Sequence, residues 1–359
     1  MKAVTVIIIL VIIVILAVAI GPFLISSSPT SRSSGSGTGV FKSADGGATW
    51  QLSTRSSEVG ILLPASILSF VFDPGNPKVI YLGTKGGGLW VSKNGGDSWA
   101  RLIDAKGVLQ AFAEIYDISI SAKNPKVMYL AIYQDNRGRV VKSTDGGITF
   151  EEIYFVPIER FGVFGAAVSS KDPNRVSIAT GQGGFLESLN GGKSWRVKKW
   201  FPDGLMRLIS NPANSSEFYV VTRGGEMYRT NNSGESWTRL TEGYREFRGS
   251  TNILDVALDT LNPSIIYAAS KFGLLGSRNS GNIWRAVPII IPPEALPVRA
   301  VAVDPKNSNR IYISAASQVY ASEDFGEHWQ ILHSPASSQV NMLRVSPKDA
   351  KTLYAVVGK

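Results

Sequence analysis

The chain has 359 residues, a formal net charge of +9, no cysteine and two histidines. Disulfides, thiolate catalysis and Cys-ligated metals are therefore excluded, and His328 and His333 are too few to build a histidine metal site. Forty-four per cent hydrophobic residues provide a core, 36 Gly and 18 Pro signal many turns, and the positive charge favours an anionic partner or membrane surface.

Residues 3–25 (AVTVIIILVIIVILAVAIGPFLI) are almost wholly apolar, with Lys2 and the amino terminus the only charges ahead of them. The run exceeds a signal-peptide core of about 7–15 residues and reaches the roughly 20 that span a bilayer. Residues 1–25 are therefore expected to form a signal anchor, a single transmembrane helix. Positive charge on the short leading side puts the amino terminus in the cytoplasm. The expected location is the cell membrane, single-pass, with the folded part extracytoplasmic. Cleavage near Ala17-Val18-Ala19 would instead release a secreted form. Residues 26–38 are rich in Ser and Gly and read as a flexible linker.

Residues 39–359 carry a motif repeated seven times: Ser/Thr, any residue, Asp/Asn, any, Gly, two of any, then an aromatic. Its copies are Ser43–Trp50, Ser92–Trp99, Ser143–Phe150, Ser188–Trp195, Thr230–Trp237, Ser277–Trp284 and Ser322–Trp329. The closing aromatics fall 42 to 51 residues apart, the period of a unit of about four short strands. The Asp or Asn side chain folds back onto nearby amides and the Gly takes a positive φ, so each box predicts a hairpin tip with its aromatic dropping into the core. Asp45, Asn94, Asp145, Asn190, Asn232, Asn279 and Asp324 are thereby assigned structural roles. Four of the seven are Asn, which argues against calcium.

A second repeated element, a Pro/Asn turn between two strands, precedes each later box; its clearest form is Phe72–Tyr81, FDPGNPKVIY. The last such unit has no box after it, and the first box has no such unit before it. One blade is thus built from both ends of the chain, which leaves no unpaired sheet edge. The predicted fold is all-β: a seven-bladed propeller of four-stranded antiparallel blades, closed by pairing of its terminal segments and preceded by the transmembrane helix.

The boxes resemble the Asp-box (BNR) repeats of sialidases, sortilin-type receptors and photosystem II stability/assembly factors. That resemblance covers residues 38–359 and implies a ring whose boxes lie away from any active site. The assembly-factor and sortilin-type relatives bind proteins or peptides without chemistry. Sortilin's cysteine-rich follow-on modules have no counterpart here.

In a four-stranded meander both repeated signatures share one face, and the variable loops share the other, where binding usually resides. That loop face is expected to carry Lys85, Arg137, Arg139, Arg160, Arg223, Arg245, Arg248, Lys271 and Arg299, with Trp200 and Tyr244 among them. Arg beside aromatics suits a protein-binding patch; the plain alternative is a solvated set offset by acids such as Glu152, Glu159 and Glu242. The apolar loops Ile61–Leu63 and Val287–Ile291 would contact a partner or fold over the channel. Aligned four residues before the Pro/Asn turn, the innermost strands give Ser69, Asp117, Val168, Arg207, Asp255, Ala300 and Met342. Asp117, Arg207 and Asp255 then form either a network joining blades or a channel-mouth site.

The function expected is a non-catalytic binding or assembly module with a protein or peptide partner, membrane-tethered, monomeric, and without cofactor, metal or nucleic acid. The alternatives are a glycoside hydrolase using Asp117 and Asp255, or a carbohydrate-binding adhesin stacking sugars on Trp90 or Trp200. A sialidase would resemble the boxes, but its F/Y-R-I-P motif does not occur here.

Overall fold

The computed structural model describes residues 37–56, 63–64 and 66–358; the anchor, most of the linker, and Ile61 and Leu62 of the first apolar loop lie outside them. No helix among the described residues is long and apolar enough to cross a membrane. The described residues form a seven-bladed propeller, seven four-stranded antiparallel sheets. Blades 1 to 6 are meanders in chain order. Their innermost strands are Ile67–Phe72, Glu114–Ile120, Val163–Val168, Leu205–Asn211, Ile253–Leu258 and Val298–Asp304.

Blade 7 takes its inner strands, Gln339–Val345 and Leu353–Gly358, from the end of the chain and its outer strands, Gly39–Ser43 and Gln51–Leu52, from the beginning. Gly39 pairs with Val357 and Ser43 with Leu353, so five rungs of ladder seal the ring. The middle strands read as unbroken apolar runs because both sheet faces are covered by neighbouring blades. Ile80–Thr84, Val176–Thr180 and Ile266–Ser270 are buried along their whole length.

Each box folds the same way. The Ser or Thr hydroxyl donates to the Asp or Asn Oδ1 at 2.8–3.0 Å. It also accepts the amide of the box glycine at 2.8–2.9 Å. The residue after the Asp or Asn donates its amide to a carbonyl in the Pro/Asn turn of the same blade, as Gly146 does to Lys126 at 2.9 Å and Gly191 to Asn174 at 2.7 Å. Both repeated signatures therefore share one face, bonded to each other.

The box tryptophans reach the preceding blade. Trp99 Nε1 donates to the Ser53 carbonyl, Trp195 to Ile153, Trp329 to Pro288 and Trp50 to His333, all at 2.7–2.9 Å. On the opposite face, the loops between second and third strands bond the loops entering neighbouring blades. Gly88 donates to Ala113 and Gly138 to Phe161, while Arg223 donates to Gly204 at the entry to its own blade.

Every innermost strand carries one extra residue at the same place: Leu68, Tyr116, Phe164, Met206, Leu254, Arg299 and Asn341 each sit in a register shift. Such a bulge bends the strand and sharpens its twist. The residue after the bulge is the true ring position. It is Ser69, Asp117, Gly165, Arg207, Asp255, Ala300 and Met342, so six of the seven expected residues hold and Val168 is replaced by Gly165. The alignment slipped because Asp172-Pro173 occupies the place of Asn76-Pro77, not of Asp73-Pro74. Ser169 is what opens that turn, its amide donating to Arg175 as Asp73 does to Val79.

Ser143→Ala should leave the buried Gly147 amide without its acceptor. A loss of about 1–3 kcal/mol is expected, read as a lower urea midpoint at unchanged slope; an unchanged midpoint would show that the hydroxyl carries no part of the box.

Candidate functional site

The central channel opens on the loop face as a cavity of about 620 Å³. The bulges supply its rim: Leu68, Tyr116, Phe164, Met206 and Asn341 line it, with Thr251, Asn252 and Arg223 from the loops above. Tyr116 packs edge-on against Phe164 with ring centres 4.8 Å apart. Its hydroxyl donates to Glu114 at 2.6 Å. Gly225 closes the wall between blades 4 and 5. Its φ is +78°, and a Cβ there would lie 1.5 Å from the Thr251 carbonyl oxygen, so only glycine fits.

Below the rim lies a charged layer. Asp117 of blade 2 accepts the amide of Ile118 at 2.9 Å and, across the seam, the amide of Ala166 in blade 3 at 3.0 Å. Asp255 of blade 5 accepts Val301 of blade 6 at 3.3 Å and faces Arg207 Nη1 at 3.4 Å. Arg207 of blade 4 donates to the Leu254 carbonyl of blade 5. Each of the three thus fastens its blade to the next.

Arg344 of blade 7 completes the layer, one rung deeper, with Nη1 donating to the Leu343 carbonyl at 2.8 Å. Sequence alignment missed it because only one ring position was compared. Two residues further along, the equivalent positions are Val71, Ser119, Ala167, Ile209, Ala257 and Ala302, against which an arginine stands out.

Burial pushes the Asp117 carboxyl up to about 6, against the pull of its two amide donors and of Arg344 and Arg207. Desolvation also lowers Arg344, with Asp255 and Asp117 opposing and Arg207 reinforcing the shift. The layer therefore holds its charges under strain of solvation, and a rise in pH ionises Asp117 between two arginines.

The other expected site residues divide sharply. Arg137 pairs with Glu159 at 3.5 Å, Arg139 with Asp135 at 3.4 Å and with Glu152, and Arg223 with Asp203 at 3.0 Å. Arg245 meets Glu242 at 3.2 Å and Arg248 meets Glu294 at 3.7 Å. Lys85, Arg160 and Lys271 are exposed and make no ion pair among the described residues; nor does the half-buried Arg299.

Trp200 is 53% exposed. Tyr244, expected at the surface, is buried, its hydroxyl donating to Gly225 and its ring edge-on to Trp284. Trp90, a sugar-stacking candidate, is buried as well and donates to Gly87. Leu63 of the first apolar loop is buried in the core, while Ile290 of the second is exposed. Among the described residues no group of His, Asp and Glu side chains is placed to hold a metal ion.

No family model matches the chain. A curated xyloglucanase of Paenibacillus sp is 22% identical over 327 residues, 79% of this chain but 30% of its own length. The chain thus spans about a third of that relative. Among solved structures, the GH74 xyloglucanase of Xanthomonas campestris is 18% identical at a TM-score of 0.65, covering 81% of this chain and 51% of the enzyme. A structure of YCF48 bound to D1 peptide is 16% identical at a TM-score of 0.64, covering 85% and 98%. At these identities the structural likeness shows the propeller fold.

A carboxyl raised in the folded state is uncharged and unpenalised below its unfolded value near 3.9 and opposes folding once ionised. Asp117 should therefore cost stability progressively from about pH 4 to above pH 6, by roughly 3 kcal/mol in full. Asp117→Asn loses one acceptor, about 1 kcal/mol, yet escapes that cost. Its deficit against the natural chain should shrink or reverse between pH 4 and pH 7 in urea titrations. An equal deficit at both would place Asp117 in a solvated site.

Proposed function

We propose that this chain is a membrane-tethered, extracytoplasmic binding module that engages a protein or peptide partner through its loop face and channel mouth, without catalysis. The observation that carries this reading is the difference between the site's acids and its bases. Asp117 and Asp255 each commit one oxygen to a backbone amide of the next blade, and the other to the Ile118 amide or the Arg207 guanidinium. A carboxylate so held is poorly placed to attack a sugar carbon or to pass a proton. Lys85, Arg160 and Lys271 stand exposed on the same face without an ion pair among the described residues, ready for a partner's acidic groups.

The likeness of the ring to a YCF48 structure that holds a D1 peptide supports a peptide-sized ligand on such a scaffold. The apolar run at residues 3–25 supports the tether. An extracytoplasmic place disfavours nucleic acid, and the sealed ring favours a monomer, since the sheet edges it leaves are short outer strands such as Gln51–Leu52 and Thr238–Arg239.

One observation favours a second reading. The relative that matches along most of the chain is a xyloglucanase, and in that case Asp117 and Asp255 would be the two carboxylates.

The test is cross-linking of the full-length chain in its native membranes, followed by identification of what co-purifies. The comparison is the triple variant Lys85→Glu, Arg160→Glu, Lys271→Glu, whose positions make no ion pair among the described residues. A recurrent protein lost in the variant at unchanged thermal midpoint is the expected result. The same recovery from both forms, or no protein at all, would overturn it. Release of reducing sugar from xyloglucan, abolished by Asp117→Asn, would install the hydrolase in its place.

A further inference from the structure

A second cavity of about 620 Å³ lies on the box side of the ring, at the seam between blades 5 and 6. Its origin is a single position, the residue just before each box. In blade 7 that residue is Lys42, which crosses the seam to Asp97 in the next box at 2.7 Å. In blade 2 it is Lys142, which reaches the Gly191 carbonyl of the next box at 3.2 Å. Val91, Glu187, Arg229 and Ala321 hold the place in blades 1, 3, 4 and 6; in blade 5 it is Gly276, which lines the groove without a side chain of its own.

A second fastening is missing at the same seam. Tyr354 and Tyr129, on the second strands of blades 7 and 2, donate across their seams to Gly95 and Pro173 at 2.9 and 2.7 Å. Tyr267 occupies that place in blade 5 and lines the groove, and its hydroxyl makes no hydrogen bond among the described residues. The seam is held instead at its outer end, where Trp329 Nε1 donates to Pro288 at 2.7 Å.

The groove is bordered by two bases. Arg278 lies over the Phe325 ring, 4.8 Å from its centre, and Arg285 follows the box tryptophan. Both are exposed and neither forms an ion pair among the described residues. Around them lie Val287, Pro288 and Ile283, the last 60% exposed, with Ser277, Asn279 and a single carboxylate, the exposed Glu327, so the two guanidinium groups outnumber the acid. Two unpaired guanidinium groups beside an apolar floor select an occupant with carboxylates next to aliphatic side chains.

We propose that this seam is a second docking site, separate from the loop face, for an extended peptide segment alternating acidic and aliphatic residues. The inference goes beyond the binding function proposed above, because it uses the opposite face of the ring and none of the same residues.

The probe is a short fluorescein-labelled peptide alternating glutamate and leucine, titrated with the full-length chain by fluorescence anisotropy. A lysine–leucine peptide of the same length is the control. Saturable binding of the acidic peptide alone is expected, weakened about tenfold or more by Arg278→Glu, since one charge-assisted contact is worth at least that factor. Gly276→Lys should fill the groove as Lys42 and Lys142 do and abolish binding. A Cβ at Gly276 meets Val287 Cγ2 at 3.1 Å and the Tyr267 ring at 3.3 and 3.4 Å, so both neighbours must give by a few tenths of an ångström, and an unchanged thermal midpoint is required before loss of binding is read as filling of the groove. The Lys85, Arg160, Lys271 triple variant should bind the peptide as the natural chain does.

Binding unchanged in both seam variants would overturn the proposal. So would its loss in the triple variant, equal binding of the basic peptide, or displacement of the acidic peptide by a neutral oligosaccharide. Loss of the membrane partner in the triple variant with the seam peptide still bound would leave both proposals standing, so the failure of either is separately visible.

Discussion

Blade is joined to blade by polar groups as much as by apolar packing. The apolar faces of neighbouring sheets bury one another wherever the ring closes, but sheets alone can slide. At the box end a tryptophan anchors several blades to the strand before it. In the channel, Asp117, Arg207 and Asp255 hold the inner strands in step by bonding the neighbour's backbone. A buried amide without an acceptor costs about as much as a lost hydrogen bond, so these groups fix one relative position for each pair of blades. The Ser–Asp pair within a box matters for the same reason: it shapes the turn that aims the tryptophan.

The architecture was largely legible in the residues. Gly, Asp and Ser at fixed offsets carry their own turn geometry, so seven boxes declared seven hairpins, and the unmatched units at the two ends declared the closure. What escaped was set by neighbours in space. Tyr244 lies in a loop of charged residues, where it looks exposed. It is buried because the loop folds over Trp284 and brings the phenol to Gly225. Trp90 is hidden between blades for a similar reason. Gly165 was displaced by Val168 because turns of equal length carry an Asp/Asn-Pro pair at either of two places. Arg344 needed a second ring position to be compared. Gly276 gave no signal at all, since a glycine in a strand shows its meaning only beside the side chains that occupy its place elsewhere, Lys42 and Lys142 among them.

Charge on this molecule sorts by depth. Inside the channel, acids and bases are matched and bonded to backbone, and their effect is on the ring itself. On the loops, half of the expected bases are tied to acids in their own or adjacent loops; exposed pairs of that kind contribute little to stability, typically below about 1 kcal/mol. The remaining bases, on the loop face and at the seam of blades 5 and 6, have nothing within the described residues to answer them. A surplus of positive charge therefore resides where the surface is free, which also accounts for the direction of the net charge.

The closing blade has a consequence for how the chain is made. Gly39–Ser43 is synthesised about 310 residues ahead of the strand it pairs with, Leu353–Gly358. At about 5–20 residues per second, the first strand waits on the order of 15 to 60 s with a bare edge. Throughout that time it presents a template to any other extended chain nearby. Six blades can mature in sequence while the seventh stays half-built, so the ring locks only once Leu353–Gly358 has been made. Truncation of even the final strand would therefore return the whole molecule to its most association-prone state.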